Sequence, residues 1–127
     1  MFWVEQDERS AASIAYFLQT RAPPLDLDTM FFKCQSTEML FYHAGHPLSV
    51  YIVNDGATSL SELRKVTLGP EVNQGQVLAF PVPADTWFTR VVESDHQDDY
   101  SLFSCSLVPG FHIEDFNATK LKDILKS

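Results

Sequence analysis

The chain has 127 residues, of which 45% are hydrophobic and 20% are charged. This length suits one domain, and the composition excludes a disordered chain. Seventeen acidic and nine basic side chains give a net charge of −8, which repels nucleic acid and anionic membrane surfaces. The sequence therefore predicts a single domain over residues 1–127, with neither nucleic acid nor a membrane as its partner.

No targeting or membrane signal stands out in the sequence. The first ten residues include Glu5, Asp7 and Glu8, which do not suit a signal peptide, and no apolar run approaches the roughly 18 residues of a membrane span. The two cysteines, Cys34 and Cys105, are not in a Cys-x-x-Cys pair and are expected to be reduced thiols. These observations predict a soluble, cytoplasmic protein.

Short apolar stretches rich in aromatic and β-branched residues recur along the chain, with turn-forming residues between them. This pattern is typical of an antiparallel barrel or sandwich. The predicted strands, in chain order, are Ile14–Leu18, Met30–Cys34, Glu38–His43, Leu48–Val53, Leu63–Leu68, Val77–Val82, Thr86–Val92, Tyr100–Val108 and a short one at Phe111–Ile113.

The C-terminal segment is the one helix that the sequence predicts. Four apolar residues recur there at helical spacing, namely Ala118, Leu121, Ile124 and Leu125. Asp115 or Asn117 is suited to cap the start of this helix. We expect the helix to lie across the open end of a barrel, where its role would be packing.

Short motifs follow one another in a recognisable order over nearly the whole chain. They are Arg9-Ser10, Ala15-Tyr16-Phe17-Leu18, Phe31-Phe32-Lys33, Ser36-Thr37-Glu38, Leu40 to Gly45, Pro47-Leu48, Asp55-Gly56, Leu68-Gly69, Val82-Pro83 with Trp87, Cys105, Pro109-Gly110-Phe111 and Asp115-Phe116. Their order resembles the small cupin type 5 domain family of the cupin superfamily, most of whose members have no assigned activity. The resemblance implies an all-β jelly-roll barrel and a homodimer.

The sequence departs from this resemblance at the metal site. Where a metal-binding cupin has histidine ligands, this chain has Phe32, Cys34 and Phe88. Of the metal-binding residues in the cupin pattern, only Glu38 is retained. Phenyl rings cannot ligate, and one carboxylate with one thiolate falls short of the usual three or four protein ligands. We therefore expect no metal and no other cofactor; a metal held by atypical ligands is an alternative.

Strand alternation predicts which side chains face the barrel interior. A period of two puts Phe32 and Cys34 on one face, and it pairs Phe88 with Arg90 in the same way. The candidate ligand-binding residues are Phe32, Cys34, Leu40, Tyr51, Phe88 and Phe103, and the candidate catalytic residues are Glu38, Tyr42 and Arg90. Either the rings fill the barrel completely, or they leave an apolar ligand cavity.

Glu38 is the candidate with the most direct chemistry. Apolar neighbours would remove its carboxyl group from water and raise its pKa toward neutrality, which suits a general acid or base. Tyr42 or Arg90 would then stabilise developing oxyanion charge. In the alternative, Glu38 is hydrogen-bonded or paired with Arg90 and chemically silent, the tyrosines are core residues and Cys34 is an inert thiol. Arg90 itself is expected to bind Glu38, to bind a ligand anion or to lie at the rim.

These residues predict a metal-independent cupin that binds a small, largely apolar organic molecule and isomerises, epimerises or cyclises it. The resemblance allows this activity, because related cupins include metal-independent sugar epimerases. The alternative is a non-catalytic cupin with a filled barrel, which binds a ligand or another protein through its rim or its dimer face. A cavity of roughly 300 Å³ or more would favour the first hypothesis.

Overall fold

The structure is a computed structural model that describes residues 11–125, without the side chain of Ile113. The motif Arg9-Ser10 lies outside the described residues. The elements are β1 (Ser13–Thr20), β2 (Met30–Lys33), β3 (Glu38–Gly45), β4 (Leu48–Asn54), β5 (Arg64–Leu68), β6 (Ala79–Val82), β7 (Thr86–Val91), β8 (Tyr100–Leu107), β9 (Asn117–Lys120) and α1 (Leu121–Ile124). Short 3-10 turns lie at Leu60–Glu62, Val72–Gln74 and Ile113–Asp115.

The strands form two antiparallel sheets. One has the order β1-β8-β3-β6, and the other has the order β5-β4-β7-β2-β9. Within residues 11–125 no strand pairing joins the two sheets, so the architecture is a sandwich of two layers. Glu38 opens β3, which is an inner strand, and it lies opposite Val82 on one side and Leu107 on the other.

The main hydrophobic core lies between the two sheets. Leu40 and Phe103 enter it from the four-stranded sheet, and Val50, Ile52 and Phe88 enter it from the five-stranded sheet. Successive residues of a strand point to opposite faces, so this register leaves the intervening residues of β4 on the other face. Both faces of the five-stranded sheet are therefore lined with large apolar side chains.

The second hydrophobic cluster covers that other face. Leu121 and Ile124 of α1 pack there with Phe31, Val53 and Trp87. The predicted position of the helix across a barrel end was therefore wrong, although its packing role is observed. Among the described residues, no helix has the length and apolar character that a membrane crossing requires.

The C-terminal segment also differs from the prediction in its secondary structure. The helix starts at Leu121, because Asn117–Lys120 forms the edge strand β9 against Met30–Lys33. Asn and Thr have weak helix propensity, so pairing with β2 outweighs the helical spacing of Ala118. The predicted strand at Phe111–Ile113 was likewise wrong, since a 3-10 turn occupies Ile113–Asp115.

Candidate functional site

A cavity of about 370 Å³ lies between the two sheets, next to the main core. The four-stranded sheet contributes β1, the start of β3 and the end of β8 to its walls, and the five-stranded sheet contributes β2 and β7. The segment that follows β8 closes one side with Phe111 and Phe116. The interior of the protein is therefore not filled, and the open space lies at the place where the resemblance puts a cupin ligand site.

Aromatic rings form one wall of this cavity. Phe32 and Phe88 are opposite each other across β2 and β7, with ring centroids 6.4 Å apart. Phe32 also stacks on Phe116, with centroids 5.5 Å apart and planes 23° apart, and Phe111 meets Phe116 at 5.9 Å. Contacts of this kind fix each ring by its neighbours, so the wall is shaped in advance of any ligand.

Glu38 supplies the carboxyl group of the cavity. The residue is 7% exposed, and its Oε2 atom is buried without a hydrogen-bond partner among the described residues. The Cys105 thiol donates a hydrogen bond to the carboxyl group. Burial raises the pKa of Glu38 above its ordinary value, and this effect exceeds the opposing influence of the nearby Arg90 charge and of the Cys105 hydrogen bond. The Glu38 carboxyl group therefore keeps its proton to a higher pH than a solvated carboxyl group does.

Arg90 supplies the positive charge of the cavity. Its guanidinium carbon lies 4.8 Å from the centroid of the Phe17 ring and 5.0 Å from that of Phe103. No ion pair formed between the described residues includes Arg90. Gln19 on β1 donates a hydrogen bond of 2.7 Å to the Arg90 carbonyl oxygen, which ties β1 to β7. The rings and the backbone contact therefore fix the position of Arg90. Its charge acts on Glu38 and partly offsets the effect of burial, which raises the pKa of that carboxyl group.

The surroundings of the two thiols in the cavity disfavour their thiolate forms. Desolvation, with the Glu38 charge as a second cause, raises the pKa of Cys34 to about 11 and that of Cys105 to about 12. Both cysteines are free. Because the thiolate is the nucleophilic form of cysteine, this environment supports the interpretation of Cys34 as an inert thiol.

Five of the residues singled out from the sequence line one cavity, namely Phe32, Cys34, Glu38, Phe88 and Arg90. Two others, Leu40 and Phe103, are fully buried in the core beside it. Tyr42 packs against that core, and its hydroxyl group donates to the Gly45 carbonyl oxygen at 2.7 Å. Tyr42 is therefore engaged elsewhere and does not line the cavity.

Tyr51 was assigned to the wrong face of its strand. It packs with the second hydrophobic cluster, and its hydroxyl group donates to Glu93 Oε2 at 2.8 Å on the surface. Lys65 joins the same carboxylate at 2.9 Å. Because β4 is apolar on both faces, alternation alone could not show which of its faces meets the core.

Several cavity residues were missed by the sequence reasoning. Ser13, Ala15 and Phe17 reach the cavity because β1 pairs with β8, and this pairing connects segments too far apart in the chain to be read from spacing. Cys105 shares a face with Phe103 by alternation, which was a usable signal. The motifs that contain Phe111 and Phe116 were part of the resemblance, but nothing in the sequence showed that they fold over a cavity.

The side chains of the cavity do not fit a metal site of the cupin kind. Two of the positions that hold histidine ligands in the cupin pattern carry phenyl rings, which have no lone pair to offer, so Cys34 and Glu38 are the donors left at those positions. Among residues 11–125, no cluster of three His, Cys, Asp or Glu side chains is arranged to hold an ion. His43, the histidine nearest Glu38 in sequence, instead contacts the Ser104 hydroxyl group at 2.7 Å.

Comparison with known proteins places this geometry in a family. No functionally curated protein matches the chain. A structure described as a hypothetical protein from Leishmania major is 31% identical, with a TM-score of 0.71, over 90% of this chain and 69% of that one. A Shewanella oneidensis structure, at 24% identity and a TM-score of 0.73, covers 97% and 77% and shares the fold. The family described as "Cupin superfamily (DUF985)" matches residues 3–119, and the chain belongs to that family.

Proposed function

We propose that this cupin binds a small, largely apolar organic molecule in the cavity between its sheets, without a metal ion. The observation that carries the proposal is a cavity of about 370 Å³ with mostly apolar walls, lined by Glu38, whose buried Oε2 atom has no hydrogen-bond partner among the described residues. Ligand sites commonly combine a volume of about 300–1,000 Å³ with a few polar groups in apolar walls. A filled interior, as the non-catalytic alternative requires, is not supported by this volume.

The chemistry proposed for this site is a proton transfer by Glu38. A carboxyl group with a raised pKa is suited to give a proton to a bound molecule or to take one from it. An isomerisation needs no net oxidation, because a proton removed at one atom is returned at another. Arg90 is the group placed to stabilise negative charge during this step. Tyr42, whose hydroxyl group is bound to the Gly45 carbonyl oxygen, has no part in the proposal.

Ligand binding is tested with a substitution that fills the cavity. Ala15 lines the cavity on edge strand β1, whereas Ala79 is exposed on β6, the other edge strand of the same sheet, and does not line it. In calorimetric titrations with 3-phenylpropionate and 3-phenylpropionamide, we expect saturable binding to the wild type, roughly millimolar or tighter. Ala15→Trp should abolish binding and Ala79→Trp should preserve it. Absence of binding to the wild type, or binding that survives Ala15→Trp, would overturn the proposal.

The catalytic role of Glu38 is tested separately. Glu38→Gln keeps the size and the hydrogen-bonding capacity of the side chain but removes its titration. Isomerase activity toward a substrate identified by screening should fall at least about a hundredfold in this variant, as expected for loss of a general acid or base. Unchanged turnover would eliminate Glu38 as the proton-transfer group and would leave a binding protein.

We also propose that two copies of the chain associate, as the family resemblance implies. Tyr16 and Leu18 on the edge strand β1 are 68% and 67% exposed, and long apolar edge strands tend to be covered. Sedimentation velocity should give a dimer for the wild type and a monomer for Leu18→Glu. A monomeric wild type at micromolar concentration would contradict this association and leave the cavity proposal intact.

A further inference from the structure

The polar groups of the cavity distinguish between classes of ligand. The titratable side chains among its described lining residues are Cys34, Glu38, Arg90 and Cys105. Both thiols are neutral at physiological pH, given pKa values of about 11 and about 12. The charge inside the cavity is therefore decided by Glu38 and Arg90.

Arg90 is presented as an anion-binding group. Its guanidinium carbon lies about 5 Å from the ring centroids of Phe17 and Phe103. Rings at this distance stabilise a guanidinium ion and leave its in-plane N–H groups free to donate hydrogen bonds to another group. No acidic side chain in residues 11–125 forms an ion pair with it. A carboxylate is the ligand that matches the planar donor edge of a guanidinium group.

Glu38 provides the second half of this arrangement. Charged or titratable groups reach its carboxyl group from three elements: Arg90 on β7, Cys105 on β8 and Cys34 after β2, with Asp115 close to Cys34. Its Oε2 atom is buried and has no hydrogen-bond partner in the described part of the chain. Such an orphaned oxygen is costly in the ionised form, whereas the protonated form has a hydrogen to donate.

We propose that the ligand of this cavity is an apolar monocarboxylate, whose carboxylate accepts hydrogen bonds from Arg90 and from a protonated Glu38 while its hydrocarbon part lies among the phenyl rings. This inference rests on the proposed function and names the ligand class of the same site. Two carboxyl groups in contact share one proton, because the second charge is repelled. Binding to the ionised enzyme therefore takes up one proton from solution, and Glu38 carries it in the complex.

Three probes of one shape test the ligand class on the intact chain. These are 3-phenylpropionate, its neutral amide and 3-phenylpropylamine, titrated calorimetrically between pH 5 and pH 9. The acid should bind at least about tenfold more tightly than the amide at pH 6, since one hydrogen bond to a charged group is worth about that factor. Its affinity should fall as pH rises, while that of the amide stays constant. The amine should not bind.

Two variants separate the roles of the residues. Arg90→Gln should bring the acid-to-amide affinity ratio close to one, and Glu38→Gln should keep the preference for the acid but remove its pH dependence.

Equal affinities of acid and amide in the wild type would overturn the ligand class and leave the cavity proposal standing. Failure of every probe to bind would overturn both. An acid preference that persists in Ala15→Trp would place the anion site elsewhere and overturn this inference. The wild-type pH series decides the matter even if a variant fails to fold.

Discussion

Phe32 and Phe88 lie directly opposite each other on β2 and β7, with ring centroids 6.4 Å apart, at two positions where the cupin pattern has metal-binding histidines. Both rings line the cavity that Glu38 enters from the facing sheet. The chain thus has an aromatic wall where the cupin pattern has metal donors.

Restoring histidine ligands at these positions should create a metal site. In the variant Phe32→His, Cys34→His and Phe88→His, three imidazoles join Glu38, which is a donor set that suits Zn²⁺ or Co²⁺. We expect one Co²⁺ ion per chain, detected by its visible absorption spectrum, and weaker binding when Glu38→Gln is added. Equal metal affinity in the wild type would show that the present side chains suffice as donors. No binding by the triple variant would show that the residues do not converge as the resemblance implies.

The raised pKa of Glu38 predicts a pH-dependent stability. In the unfolded state this carboxyl group has a pKa near 4.5, and in the folded state its pKa is higher. The free energy of unfolding therefore falls as pH rises above the unfolded-state pKa. Below about pH 4.5 the group is protonated in both states and the effect vanishes. Glu38→Gln should therefore gain stability over the wild type progressively from pH 4.5 toward neutral pH.

Urea unfolding of both proteins at several pH values measures this difference. Glu71→Gln is a suitable control, because Glu71 is exposed and its side chain makes no cap hydrogen bond to the 3-10 turn that follows it. The control should not show the same gain. A Glu38→Gln variant that becomes less stable than the wild type as pH rises would mean that the ionised carboxylate is stabilised in the folded protein.

The environment of Cys34 predicts slow alkylation. A pKa of about 11 against an ordinary value of 9.0 lowers the thiolate fraction at pH 7.5 by about two orders of magnitude. Iodoacetamide should modify Cys34 at least tenfold more slowly than it modifies free cysteine, as measured by peptide mass spectrometry. Saturating 3-phenylpropionamide should slow the reaction further. Rapid modification that the probe does not affect would place Cys34 outside a dry ligand site.

Two glycines with similar positive φ angles should respond differently to a methyl group. Gly45 and Gly56 have φ angles of +89° and +86°, so alanine costs roughly 1–2 kcal/mol at either position. At Gly45 the new Cβ would also meet the carbonyl oxygen of Tyr100 across β3 and β8, whereas Gly56 has open space around it. Gly45→Ala should therefore lose roughly 1–3 kcal/mol more. Equal losses in chemical denaturation would contradict this packing.

The strands were largely predictable because their residues alternate. Eight apolar stretches lie in strands of the structure, and alternation correctly grouped Phe32 with Cys34 and Phe88 with Arg90. Alternation could not place Tyr51, because β4 is apolar on both faces. Local pattern identifies a strand and its two faces, and the layers packed on each face decide which one is interior.

The remaining parts of the site depend on contacts between distant segments. Ala15 and Phe17 line the cavity only because β1 pairs with β8, where Ala15 meets Cys105. The helix prediction failed at Asn117–Lys120 for the same reason, because β2 recruits this segment as an edge strand. Pairings of this kind are tertiary, and the spacing of residues in a single sequence does not encode them.

The cavity between the sheets should admit a small apolar molecule. Intermolecular nuclear Overhauser effects between the phenyl protons of bound 3-phenylpropionate and the labelled protein test it most directly. We expect contacts to the rings of Phe32, Phe88 and Phe116. Contacts only to Tyr16 and Leu18 on the opposite face of the four-stranded sheet, or none at saturating probe, would contradict the account.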